Sequence, residues 1–244
     1  HGIFGYSDPL DDYYEALNHW FSTRHGFTVK PEWVTILPGV VMALATCVSA
    51  FTKPGDSCII TQPVYYPFRE VIENNGRKLV NSQLNYIDGR YTINYEDFEQ
   101  KIIDNNVKLF ILCNPHNPVG RVWTKEELEK VLDICLKHDV VVLDDEVHAD
   151  FVYPGFKATS VMTLDEKYAK NVVVCTSPSK TFNVAGLQPA NIIIRNPEMH
   201  EAFETEKGRV GYSNAPIMAM LACKACYTHG AAWVDELTAY INEN

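Results

Sequence analysis

"KLFILCNPHNPVG", residues 108–120, joins a short apolar run to a tail of Asn, Pro and His. The run has the length of a strand, and the prolines behind it end it. The same two-part pattern recurs on both sides. "WVTIL" (33–37) leads into Pro38-Gly39-Val40-Val41, "SCIIT" (57–61) into "QPVYYPF", "VVVL" (140–143) into "DDEVH", and "NVVVC" (171–175) into "TSPSK", while "NIIIR" (191–195) closes the series. Helical patterns fill much of the space between, at 39–52, 65–75 and 124–138, the last opened by Thr124 and Glu127 in capping-box spacing. "KPGD" at 53–56, "NNG" at 74–76 and "DG" at 88–89 punctuate the chain as turns. Strands alternating with helices predict an α/β fold of three layers, α/β/α, around a mostly parallel sheet. Beyond about residue 200 the pattern is mainly helical. The expected organisation is one large domain over 1–200, with 201–244 as its helical end leading toward a small domain outside this chain.

Composition narrows the partners. The 244 residues are 46% hydrophobic and 21% charged, with a formal net charge of -10. No basic run offers a phosphate-tracking surface, so a small molecule is expected and nucleic acid is not. Residues 33–52 carry no charge, long enough to suggest a membrane helix, but Pro38-Gly39 divides them into a short strand and a helix. No membrane association and no signal peptide are expected. Seven cysteines without framework spacing suggest reduced thiols and a cytoplasmic setting. Cys223 and Cys226 share one helix face, which suits packing better than a metal. The chain opens on "HGIFGY" without methionine and stops on "YINEN", as a piece of a longer polypeptide would.

In open α/β sheets ligands bind beyond the carboxyl ends of the strands, so the five polar tails should meet at one crevice. Lys180 is the chemical centre of that set. A lysine amine becomes a nucleophile toward carbonyls when its surroundings depress its pKa, and it then forms a Schiff base. Taken alone it would be an ordinary surface lysine. Ser177 and Ser179 supply hydroxyls suited to a phosphate, and the helix beginning at Gly39 offers free N–H groups to the same anion. Lysine and phosphate cradle together suggest pyridoxal 5′-phosphate. That cofactor needs a carboxylate at its ring nitrogen, for which Asp145 is the candidate. Asn117 and His148 could reach its phenolic oxygen, and Tyr65 could stack on its ring. The alternative for Asp144, Asp145, Glu146 and His148 is a metal cluster or a solvated turn. Alternation along an extended segment turns Asp145 away from Asp144 and Glu146 and puts His148 on the face of Glu146, which argues against a metal.

With these residues assembled, the chain resembles the fold-type I pyridoxal-phosphate enzymes of the class I/II aminotransferase superfamily. Within it, the chain most resembles the cystathionine β-lyase (C-S lyase) group often called MalY/PatB. The resemblance runs from "HGIFGYSD" through "LPGVV", "QPVYYPF", "NPHNPVGRVW" and "DDEVHADF" to "SPSKTFNVAGLQ". It implies a large domain of the pyridoxal-phosphate-dependent transferase type, with Lys180 joined to the cofactor, Asp145 at the pyridinium, and Asn117 and His148 at the ring oxygen. Tyr65 would stack, while Val40 and Val41 would give backbone N–H groups, and Ser177 and Ser179 hydroxyls, to the phosphate. Tyr6 matches a tyrosine that reaches the phosphate of a neighbouring subunit, so a homodimer is implied. Most aminotransferases of the superfamily carry arginine where Gln188 stands and tyrosine where His148 stands. Both departures favour a C-S lyase acting by β-elimination on a sulfur-containing amino acid, ahead of an aminotransferase or a non-catalytic sensor. The family's carboxylate-clamping arginine matches neither Arg195 nor Arg209 and is expected outside this chain.

Overall fold

Alternation of short apolar runs with amphipathic segments produces, in a computed structural model describing residue 2 and residues 5–244, a layered α/β fold. In chain order the elements are α1 (Asp11–Trp20), β1 (Val34–Pro38), α2 (Val40–Phe51), β2 (Ser57–Ile60), α3 (Pro67–Glu73), β3 (Lys78–Asn81), β4 (Asn85–Ile87) and β5 (Arg90–Thr92). They continue with α4 (Tyr95–Asn105), β6 (Val107–Cys113), α5 (Lys125–Lys137), β7 (Val141–Asp145), β8 (Val172–Thr176), β9 (Pro189–Ile194), α6 (Pro197–Arg209), α7 (Ile217–His229) and α8 (Ala231–Glu243).

Seven strands form one sheet in the order β1-β9-β8-β7-β6-β2-β3. The pairs β2/β3, β2/β6, β6/β7 and β7/β8 are parallel, whereas β9 is antiparallel to both β8 and β1. Every strand except β9 therefore runs the same way, and β9 begins where its neighbours end. β4 and β5 make a separate hairpin closed by Asp88-Gly89.

Strand periodicity of two divides the core into two layers. Leu109 and Ile111 of β6 pack with α2, α3 and α6 through Ala43, Leu44, Phe68, Ile72 and Phe203. Phe110 and Leu112 point the other way, toward α1, α4, α5 and α7 through Leu17, Trp20, Phe98, Leu132 and Tyr227. Phe203 and Tyr227, both buried, make the helices after residue 197 part of the same two-layered core. Thr124 caps α5 as a full capping box, its side chain accepting the Glu127 N–H while Glu127 accepts the Thr124 N–H. Cys223 lies buried on α7 with Asn191 Nδ2 3.7 Å from its sulfur, in a packing role. Among the described residues, no helix is long and apolar enough to cross a membrane. The charge-free stretch 33–52 is β1 followed by α2, divided at Pro38-Gly39.

Candidate active site

The carboxyl ends of β1, β7 and β8 and the segment after β2 meet at a cavity of about 240 Å³. Its lining includes Gly39, Val40, Val41, Tyr65, Asp145, Ser177, Ser179, Lys180 and Gln188. Gly39 caps α2 at φ 95° and ψ 149°, backbone that only glycine adopts readily, and no side chain caps the helix. The first-turn N–H groups of α2, including those of Val40 and Val41, are thus left for an anion at the positive end of the helix dipole.

Asp145 ends β7 and is 3% exposed. Burial pushes its carboxyl up to about 7; the Val147 N–H, 3.2 Å from Oδ1, and the Lys180 charge pull it down, and Glu146 pushes it up. Asp144 and Glu146 lie on the opposite side of the strand. Asp144 accepts from Asn114 Nδ2 at 3.4 Å, and Glu146 accepts the Val161 N–H at 3.0 Å. Burial raises the pKa of both.

Strand alternation does not extend to His148, and the expectation that it shares the face of Glu146 is corrected here. The chain turns after Glu146, with Ala149 N–H on the Glu146 carbonyl (3.0 Å) and Phe151 N–H on the His148 carbonyl (3.0 Å). His148 consequently lies on the lysine side. It lines a second cavity of about 320 Å³ together with Lys180. It also lines a third, of about 490 Å³, together with Asn117. Burial first, and then the Lys180 charge, lower its pKa, which favours neutral imidazole.

Tyr65 stands edge-on to Phe68, with ring centroids 5.9 Å apart. Burial, then Tyr66 and Asp145, raise its phenol pKa. Ser177 differs from its expected role as a free hydroxyl donor. Its Oγ donates to the Pro189 carbonyl and accepts the Ser179 N–H at 3.0 Å, so its proton is committed to closing the loop. Ser179 remains at the cavity wall. Tyr6 is 95% exposed and lines none of the three cavities. Sequence reading did not nominate Met42, Val147 or Gln188 as wall residues. Only Gln188 had a legible signal, its spacing from the lysine.

A lysine, a buried carboxylate and a bare helix N-terminus at the strand ends of a mostly parallel sheet define a class, the α/β proteins equipped to hold an anionic, carbonyl-bearing ligand. The chain belongs to the aminotransferase class I and II family, whose sequence model matches residues 2–243. It is 45% identical over 244 residues to cystathionine beta-lyase PatB of Bacillus subtilis (strain 168), covering 100% of this chain and 63% of that protein. It is 33% identical to protein MalY of Escherichia coli (strain K12), covering 100% of this chain and 62% of that one. Among solved structures, cystalysin from Treponema denticola, which contains pyridoxal 5′-phosphate, superposes with a TM-score of 0.96 at 39% identity. That match covers 99% of this chain and 61% of cystalysin. The chain thus spans somewhat under two thirds of the length of these relatives.

Proposed function

We propose that the protein is a pyridoxal 5′-phosphate-dependent C-S lyase, cleaving a sulfur-containing amino acid such as cystathionine into pyruvate, ammonia and a thiol. The observation that carries this reading is the convergence of Lys180, Asp145 and the uncapped start of α2 on one cavity. The residues fit the cofactor. A volume of about 240 Å³ lies just under the roughly 300–1,000 Å³ usual for drug-sized ligands, which suits one ring with one phosphate. The N–H groups of Val40 and Val41, with Ser179, would hold the phosphate. Asp145 would pair with the ring nitrogen, Asn117 and His148 with the ring oxygen, and Tyr65 would cover a ring face.

Bound there, the cofactor supplies an aldehyde for covalent attachment and a protonated ring that takes up the electron pair left on the substrate's α carbon. The work of the chain's own residues follows. Lys180, its stem rooted in a short loop, presents its amine to accept the α proton as general base. Asp145, carrying a carboxyl poised near neutrality, becomes anionic when a cation approaches and keeps the proton on the ring nitrogen. His148, favoured neutral, donates one ring N–H. The C-S bond breaks with its electron pair on sulfur, and water completes the conversion to pyruvate and ammonia.

The name of PatB, a cystathionine beta-lyase, supports the lyase over the sensor reading. Gln188 and His148 favour it over aminotransferase. Homodimerisation, with Tyr6 reaching the cavity of the second subunit, suits the exposure of Tyr6. Cytoplasmic location suits seven unpaired cysteines. The deciding experiment incubates the protein, loaded with cofactor, with L-cystathionine and no keto acid. Release of pyruvate and thiol is expected; turnover that depends stoichiometrically on an added keto acid would instead make it an aminotransferase.

A further inference from the structure

Lys180 is followed by two residues that are held unusually firmly. Thr181, fully buried, donates from Oγ1 to Asp150 Oδ2 at 2.8 Å. Phe182 packs against Trp20 (5.3 Å between ring centroids), Tyr227 (6.2 Å) and Trp233 (5.8 Å), and against Gly230, where an added Cβ would strike its ring. Asp150 is the junction. Its other oxygen, Oδ1, faces His25 Nε2 at 2.9 Å, with Arg24 Nε 3.8 Å away, and Arg24 in turn bonds Asp235 of α8 at 2.8 Å. The carboxylate side chain is 8% exposed, and its two oxygens bridge the helical turn Phe21–His25, which follows α1, to the lysine loop. It also lies two residues beyond His148, so one side chain ties together two of the three segments that border the 320 Å³ cavity, the third being α8 through Thr238 and Ile241.

We propose that Asp150 and Thr181 are positioning residues that fix where the Lys180 amine and the His148 ring stand relative to the bound cofactor. This rests on the reading of Lys180 as the cofactor-bonding lysine. A lysine stem is flexible, so the placement of its amine depends on how firmly its backbone is seated. Loss of the Thr181–Asp150 bond frees the residue adjacent to that root and, through Asp150, the turn that carries His148.

The test compares Thr181→Val with Thr181→Ser, in protein loaded with pyridoxal phosphate, by the pH midpoint of its yellow absorbance and by steady-state kinetics. Thr181→Val should move the midpoint and lower kcat by about 10- to 100-fold at nearly constant KM, the scale of a displacement of about 1 Å. Thr181→Ser, which keeps the hydroxyl, should restore both. If Thr181→Val fails to fold, Asp150→Asn replaces it, and its midpoint must also move. A melting temperature that drops while midpoint and kcat stay put would reduce the contact to a structural one and overturn the proposal. A parent protein that forms no yellow species would overturn the reading of Lys180, and the proposal with it. A yellow parent with an unmoved variant overturns the tether alone.

Discussion

Asp145, the last residue of β7, and Lys180, in the loop after β8, border one cavity, and the lysine charge draws the carboxyl's pKa down against the burial that raises it. Acid and amine are thereby coupled before any ligand arrives. Removing the lysine charge would leave the carboxyl's pKa higher still.

Lys180→Ala should abolish the yellow absorbance formed with pyridoxal phosphate and lower turnover by at least the roughly 10²–10⁴-fold typical of a lost general base. Spectra and pyruvate release check both. A variant that stays yellow and active would remove Lys180 from the chemistry.

Asp145→Asn should flatten the pH dependence of stability in the cofactor-free protein. A carboxyl raised to about 7 contributes stability that is fully present below the unfolded pKa near 4 and is lost as pH climbs through about 7. A shift of that size corresponds to at most about 4 kcal/mol. Asp144 and Glu146 act in the same direction, so part of the slope should survive the substitution. Urea midpoints measured between about pH 4 and pH 8 test the sign. Stability that rises over this window would contradict it.

Gly39→Ala should weaken cofactor binding as well as stability. No atom crowds the position, so the penalty comes from the backbone angles alone, about 1–3 kcal/mol. Relaxing that strain would turn the first N–H groups of α2 away from the cavity. Titration with pyridoxal phosphate should show reduced affinity, while an unchanged dissociation constant would remove the α2 terminus from the phosphate site.

Thr124→Ala provides a contrast away from the cavity. Losing the α5 capping box should cost about 1 kcal/mol, or roughly 2–4 °C in melting temperature. Cofactor affinity should not change. A fall in affinity there would show that the site depends on global stability rather than on local contacts.

How legible all this was in the sequence depended on burial. The central strands β6, β7 and β8 are apolar on both faces and stand out as runs, as does β1. β3, at the sheet edge, shows one buried residue in four and reads as loop. α1 and α4 carry amphipathic patterns that a search for runs passes over, although Asn94 caps α4 through its side chain. Within the site, the residue types at the strand ends announced a common crevice, and four of the five tails share the lysine cavity, whereas Asn117, beyond β6, lines a separate one with His148. Direction was harder to read. Period-two alternation placed Asp145 correctly against Asp144 and Glu146 but failed at His148, because the turn from Glu146 changes the period. Ser177 was readable as a hydroxyl, but its bond to Pro189 needed the reversed strand to be known.

That reversed strand has a consequence for tolerance to change. Because β9 starts beside the end of β8, residues 177–188 form a bridge with both abutments in the same sheet, pinned by Ser177 on Pro189 at one foot and Thr176 on Asn191 just below. Extra residues spliced into this span would lengthen the arch and lift its lysine off the cavity.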